Sequence, residues 1–139
     1  MSDTDRQRIL DTARDAVLAV FPSAWAIYVY GSFARGDHSP RSDIDLALLL
    51  PPGEKIADLL SIVSDVSTRA DREVDLVDLR KVNDVLRREV LAEGQTLYVA
   101  EPDRVLEWEG TAMSRYQRYR EEVSDLLKEF QKTGIGYRR

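Results

Sequence analysis

Apolar residues recur at helical spacing from about Thr4 to Val20, where Ile9, Leu10, Ala13, Ala16, Val17 and Val20 share one face. Pro22 ends this helix, because its ring disfavours helical backbone at Phe21. The pattern then changes. Trp25-Ala26-Ile27-Tyr28-Val29-Tyr30 is rich in β-branched and aromatic residues, closes on Gly31 and predicts a strand. Ile44 to Leu50 predicts a second strand, nearly all apolar as a strand buried on both faces would be, and Pro51-Pro52-Gly53 stops it. Ile56, Leu59, Leu60, Val63 and Val66 mark a second amphipathic helix, and Val74 to Leu79 a third strand. Asn83 is the expected N-cap of a helix through Val85, Leu86, Val90 and Leu91, with Gly94 as its C′ stop. Thr96 to Val99 reads as a short extended piece. Val105, Trp108, Ala112, Tyr116, Tyr119, Val123, Leu126, Leu127 and Phe130 then follow at spacings of mostly three and four. They predict a long C-terminal helix over about 103–132, ending near Gly134 and Gly136. This order of elements predicts an α/β (α+β) fold with a small mixed β-sheet flanked by helices.

Composition narrows the picture. With 139 residues and 43% hydrophobic content, the chain is expected to be one domain over 1–139. Twenty basic residues against 25 acidic ones give a net charge of −5, which argues against stable nucleic-acid binding. No cysteine is present, so disulfides, thiolate zinc sites and cysteine nucleophiles are excluded together. The polar start, Met1-Ser2-Asp3-Thr4-Asp5-Arg6, lacks the apolar stretch of a signal peptide. The longest apolar run, Leu46 to Pro52, is far shorter than the roughly 20 residues that span a bilayer. A cytoplasmic protein with no membrane association is expected.

Candidate chemistry concentrates in Gly31-Ser32-Phe33-Ala34-Arg35-Gly36 and Ser42-Asp43-Ile44-Asp45-Leu46. A Gly-Ser turn after a strand, able to begin a short helix, exposes N–H groups and a hydroxyl with no large side chain in the way. Such a nest suits nucleotide phosphates. Asp43 and Asp45 are two apart in a strand, so both carboxylates leave the same face. Two like charges at the entry to an apolar strand need a counter-charge, and Mg²⁺ takes hard oxygen ligands of this kind. A third carboxylate should come from the neighbouring strand. Asp75 and Asp78 are available there, but their opposite parity lets only one face the site, and parity alone does not say which. Arg35 either neutralises phosphate or pairs with a surface carboxylate. The lone histidine, His38, reads as a solvated loop residue, since one His without partners makes a poor zinc site. Arg115, Arg118 and Arg120 read as a solvated basic face beside a packing stripe that carries Tyr116 and Tyr119.

Gly31-Ser32, ten further residues and Asp43-x-Asp45 together resemble the signature of the DNA polymerase β-like nucleotidyltransferase superfamily. The fuller string resembles its minimal nucleotidyltransferase (MNT) branch, which includes the MntA-type antitoxins. The likeness extends through Val74-Asp75-Leu76-Val77-Asp78-Leu79 and Leu86 to Gly94, covering a catalytic core of about residues 8–100. It implies a nucleotidyltransferase fold, ATP as substrate and two Mg²⁺ ions bound by Asp43, Asp45 and Asp75, the third aspartate being the first of its strand. Gly31 and Ser32, with Arg35 nearby, would bind the nucleotide. It also implies a partner, a HEPN-domain ribonuclease toxin of a type VII toxin–antitoxin system, which the enzyme inactivates by moving AMP from ATP to a toxin tyrosine. About 40 residues follow Gly94, room for one long helix and a tail, so the acceptor is expected to arrive on a second protein. The C-terminal helix and the tail 134–139 are the expected docking surfaces, with Trp108, Tyr116 and Tyr119 either interface or core. Two other readings remain at this point: transfer to a small molecule or RNA end, and a non-catalytic antitoxin that blocks a toxin sterically.

Overall fold

A computed structural model describes residues 2–37, 39 and 41–133. Its elements run α1 (Asp3–Val20), β1 (Ala26–Tyr30), α2 (Ser32–Arg35), β2 (Ile44–Leu49), α3 (Leu59–Ala70), β3 (Val74–Asp78), α4 (Asp84–Glu93), β4 (Gln95–Val99) and α5 (Pro102–Thr133). The four strands form one sheet in the order β3-β2-β1-β4. β1 pairs antiparallel with β2 and β4, whereas β2 and β3 are parallel, joined by the crossover through α3. The mixed sheet expected from the sequence is therefore present.

Alternation along the central strands builds two cores. Ile27, Val29, Ile44, Leu46, Leu48, Val74 and Leu76 face one way and pack with Leu10, Ala13 and Val17 of α1 and Val66 of α3. Ala26, Tyr28, Tyr30, Ala47 and Leu49 face the other way, against Val90 of α4 and Val105 of α5. Ile44 and Leu46–Leu50 are all buried because helices cover both sheet faces, as their unbroken apolar character required. Burying a Leu, Ile or Val side chain contributes about 1.5–3 kcal/mol each, so this two-sided strand anchors whatever stands at its entry.

Caps fix several helix ends. The side chains of Ser2, Asp58 and Asn83 accept from the backbone N–H three residues on, at 3.1, 3.2 and 2.8 Å. α3 begins at Leu59 on the Asp58 cap, so Ile56 lies before the helix rather than in it and packs on the core from the loop. Gly94 needs a second correction. Its φ is −79°, so it is no left-handed C′ residue; a Cβ there would collide with the carbonyl oxygens of Val90 and Val29. Glycine stands there so that the end of α4 can touch the backbone of β1.

α5 differs most from expectation. Only Val105 and Ala112 are buried on it, and no described residue beyond Ala112 is. Trp108 is half-buried in the second core, but Tyr119 is 44% exposed, so the expected tyrosine-bearing packing stripe does not pack against the sheet there. His38 and residues 134–139 lie outside the described residues. Among the described residues no helix is long and apolar enough to cross a membrane.

Candidate active site

The register of the sheet brings the site together. Tyr30, the last residue of β1, sits opposite Asp45 of β2, and Asp45 sits opposite Asp75 of β3. Residues opposite one another share a face, so Tyr30, Asp45 and Asp75 line up across three strands at one end of the sheet. Asp43, two residues before Asp45, leads into that same face. Asp45 is partly buried, whereas Asp43 and Asp75 are exposed.

Asp78 lies elsewhere. It has the parity of Val74 and Leu76, sits opposite Leu48, and is about 10 Å along the strand from Asp75. It is 6% exposed and accepts from the Arg80 backbone N–H and Nε at 3.0 Å and from Nη2 at 2.9 Å. Burial alone would raise its pKa, but the Arg80 hydrogen bonds and charge outweigh it and hold the carboxyl below its ordinary value. Arg80 also donates to Pro51 O at 2.9 Å, so the pair ties the ends of β2 and β3 together. The register thus places Asp75 on the face of Asp45 and Asp78 on the opposite face, paired with Arg80.

Gly31 makes room for this arrangement. Its backbone (φ +71°, ψ −148°) is accessible essentially to glycine alone, and an added Cβ would run into Oδ2 of Asp45. Gly31 O accepts from the N–H groups of Ala34 and Arg35 at 3.1 Å each, closing the one-turn helix α2. The Ser32 hydroxyl, at the first position of that turn, has no hydrogen-bond partner among the described residues. The turn is held from below. Phe33 is fully buried, Arg6 of α1 donates to its carbonyl from Nε and Nη2 at 3.0 and 2.6 Å, and the Arg72 guanidinium lies 5.4 Å from its ring centroid. Arg72 also donates to Ser42 O at 3.0 Å, which fixes the backbone leading into Asp43.

Electrostatically the site is over-supplied with negative charge. The Asp45 carboxyl is pushed above its ordinary pKa by burial first, then by Asp75, Asp43 and Glu89, with only Arg35 acting the other way. The Tyr30 hydroxyl is pushed up to about 12 by burial and by Asp45, Asp75 and Glu89. Arg35 is itself paired with Asp37 at 3.3 Å and half exposed. It thus pairs with a surface carboxylate, while its charge is also felt at Asp45. Sequence reasoning missed Tyr30, Glu89, Arg6 and Arg72. For Tyr30 a signal existed, since it precedes Gly31 on the face of the sheet that carries Asp45. For Glu89 the only hint was its place beside Val90, which packs α4 onto the sheet.

Residues 16–103 match the family described as Polymerase beta, Nucleotidyltransferase. The chain belongs to this family. The protein adenylyltransferase MntA of Shewanella oneidensis is 29% identical over 127 residues, which span 91% of this nucleotidyltransferase chain and 88% of that protein. A crystal structure of a toxin–antitoxin with AMP-PNP is 25% identical with a TM-score of 0.73, covering 88% of this chain and 98% of that one. A complex of the tri-AMPylated Shewanella oneidensis HEPN toxin with its MNT antitoxin shares the fold, with a TM-score of 0.70 at 23% identity over 91% of this chain and 98% of that one.

The donor set fits a hard divalent cation. Among the described residues no group of three or more His, Cys, Asp or Glu side chains is placed to hold a metal ion by itself. Mg²⁺ does not need one, because it binds through one or two carboxylates and completes its shell with water and substrate phosphate oxygens. Unbalanced carboxylates on one face, beside a turn that leaves space and an unpartnered hydroxyl, match that chemistry.

Proposed function

We propose that this chain is a protein adenylyltransferase that acts as an antitoxin, moving AMP from ATP onto a tyrosine hydroxyl of a HEPN-domain ribonuclease toxin. The observation that carries this reading is the register that sets Asp45 opposite Asp75 beside the Gly31-Ser32 turn, with Asp43 close enough to act on Asp45. The likeness to MntA and to the AMP-PNP-bound toxin–antitoxin supports ATP as the donor and a toxin as the acceptor.

Asp43, Asp45 and Asp75 would hold two Mg²⁺ ions, which when bound neutralise triphosphate charge and lower the pKa of the acceptor hydroxyl. The remaining work falls to the chain. Gly31 leaves the approach open, the Ser32 hydroxyl donates to the β- and γ-phosphates, and Arg35 adds positive charge beside them. The tyrosine oxygen attacks the α-phosphorus in line. Its bond to the phosphorus forms as the bond to the bridging oxygen breaks, and pyrophosphate leaves. Asp75, exposed at the rim, accepts the hydroxyl proton. Catalysis of this type rests on positioning and charge neutralisation rather than on covalent chemistry. The proposed place of action is the cytoplasm, with the toxin and ATP.

The test is intact-mass spectrometry of a candidate HEPN-domain toxin from the same genome, after incubation with the chain, ATP and Mg²⁺. One or more AMP units on a tyrosine are expected. Asp43→Asn should stay folded and lose transfer by at least about 100-fold, the order of several kcal/mol of transition-state stabilisation. Near wild-type transfer by the folded variant would refute the assignment.

A further inference from the structure

The face of α5 beyond Ala112 has a regular pattern that the domain itself does not use. Val105, Ala112, Tyr119 and Leu126 are spaced by seven, and so are Glu109, Tyr116, Val123 and Phe130. The two series interleave at alternating steps of four and three, the 3.5-residue period of a coiled-coil seam. Its first part is occupied within the chain. Val105 is buried in the second core, Ala112 is buried, and Glu109 accepts a hydrogen bond from the Tyr28 hydroxyl at 2.7 Å. Its second part still touches the domain at Tyr116, whose ring centroid lies 5.9 Å from the Arg88 guanidinium, and then runs on for about 25 Å of helix. There Val123 is 37%, Tyr119 44% and Leu126 52% exposed. Tyr116 and Tyr119 stack with ring centroids 6.2 Å apart, which presents a continuous aromatic surface at the point where the seam leaves the domain.

We infer that the free part of the seam, Tyr119 to Phe130, docks a helix of the partner toxin by coiled-coil packing. The inference rests on the reading of the chain as an antitoxin and adds the surface by which the toxin is held. The flanking charges select another chain over a second copy. In a parallel pairing of two copies, Arg115 meets Arg120 of the other helix, five residues on. In an antiparallel pairing centred on this segment, Arg120 and Glu122 each meet their own counterpart across the two-fold axis. Like charges beside a seam act against that pairing and favour a partner helix with the complementary order, acidic beside Arg115 and Arg120 and basic beside Glu122. Docking here also leaves the aspartate face of the sheet open for the acceptor tyrosine, since the free seam contributes nothing to that face.

The decisive variant is Val123→Glu combined with Leu126→Glu, both at exposed positions, with Ser124→Glu, off the seam, as control. Binding to the same purified HEPN-domain toxin is measured by calorimetry, helicity by circular dichroism and AMP-PNP binding in parallel. The expected result is at least 100-fold weaker toxin binding by the double variant, with helicity and AMP-PNP binding retained and the control unchanged. Toxin binding equal to wild type overturns the inference and leaves the proposed function standing. A wild-type chain that sediments as a dimer, becomes monomeric in the double variant and binds toxin unchanged overturns it in favour of a second copy. A wild-type chain that neither binds nor modifies the toxin overturns both readings.

Discussion

Replacing Asp45 by Asn should make the metal-free protein more stable while removing its activity. Asp45 stands directly opposite Asp75, with Asp43 and Glu89 adding to the same negative potential and only Arg35 opposing it. A like-charge pair across strands destabilises by roughly 0.2–1 kcal/mol, and partial burial of the carboxylate adds a desolvation cost. Because the site is open to solvent, screening holds the sum to about 1 kcal/mol. For a domain of this size that corresponds to a rise in Tm of about 3–4 °C. Asn keeps the shape and removes the charge. The raised folded-state pKa also fixes the pH dependence. Its stabilising contribution is fully present below the unfolded value of about 3.9 and is lost as pH rises through the higher folded value. The advantage of Asp45→Asn should therefore be largest near neutral pH and vanish as the pH falls toward 4. Thermal unfolding of both proteins in EDTA across this range measures it. In a second arm, Mg²⁺ with AMP-PNP should raise the Tm of the wild type and leave the variant unmoved. A variant equal to or less stable than wild type at neutral pH without metal would show that the cluster carries no electrostatic strain.

Two further substitutions test the geometry of the site. Asp75→Asn should suppress transfer with little change in Tm, whereas Asp78→Asn should keep transfer at low temperature but cost about 2–3 kcal/mol, because it breaks the buried pair with Arg80; parallel assays and melts check the split, and the reverse ranking would place the wrong aspartate at the site. Gly31→Ala should cost about 1–3 kcal/mol of stability from backbone strain and also displace the Asp45 carboxylate; loss of AMP-PNP binding in the folded variant is the expected readout, and wild-type binding would deny the turn its role.

Most of the fold was legible because its signals are local. Pro22, Pro51 and Asn83 punctuate the chain by backbone chemistry that acts within a residue or two, and the unbroken apolar run of β2 announced two covered faces. What remained open depended on which strand lies beside which. Asp75 and Asp78 are equally plausible by alternation; the family resemblance favours Asp75, and in the structure the parallel register, Asp45 opposite Asp75, sets it apart, which no property of either residue in its own strand reveals. Gly94 shows the same limit. Its place at a helix end invites a left-handed cap, but its absent side chain serves contact with β1, a strand about 65 residues earlier.

α5 shows a different kind of limit. Apolar spacing reports that a helix has a face to cover and says nothing about what covers it. The same periodic series predicts packing on the sheet at Val105 and at Tyr119 alike, yet the sheet extends only far enough to meet the first. The distinguishing fact is geometric. A helix of 32 residues is about 48 Å long, whereas a strand of five residues spans about 17 Å, so more than half of the helix must leave the domain. A seam that keeps its seven-residue period after its intramolecular partner has ended is not explained by folding of this chain. Exposed apolar side chains at this density favour association. Their regular spacing is therefore best accounted for by a second helix that follows the same period. That helix would hold the acceptor at a fixed distance from Asp43, Asp45 and Asp75.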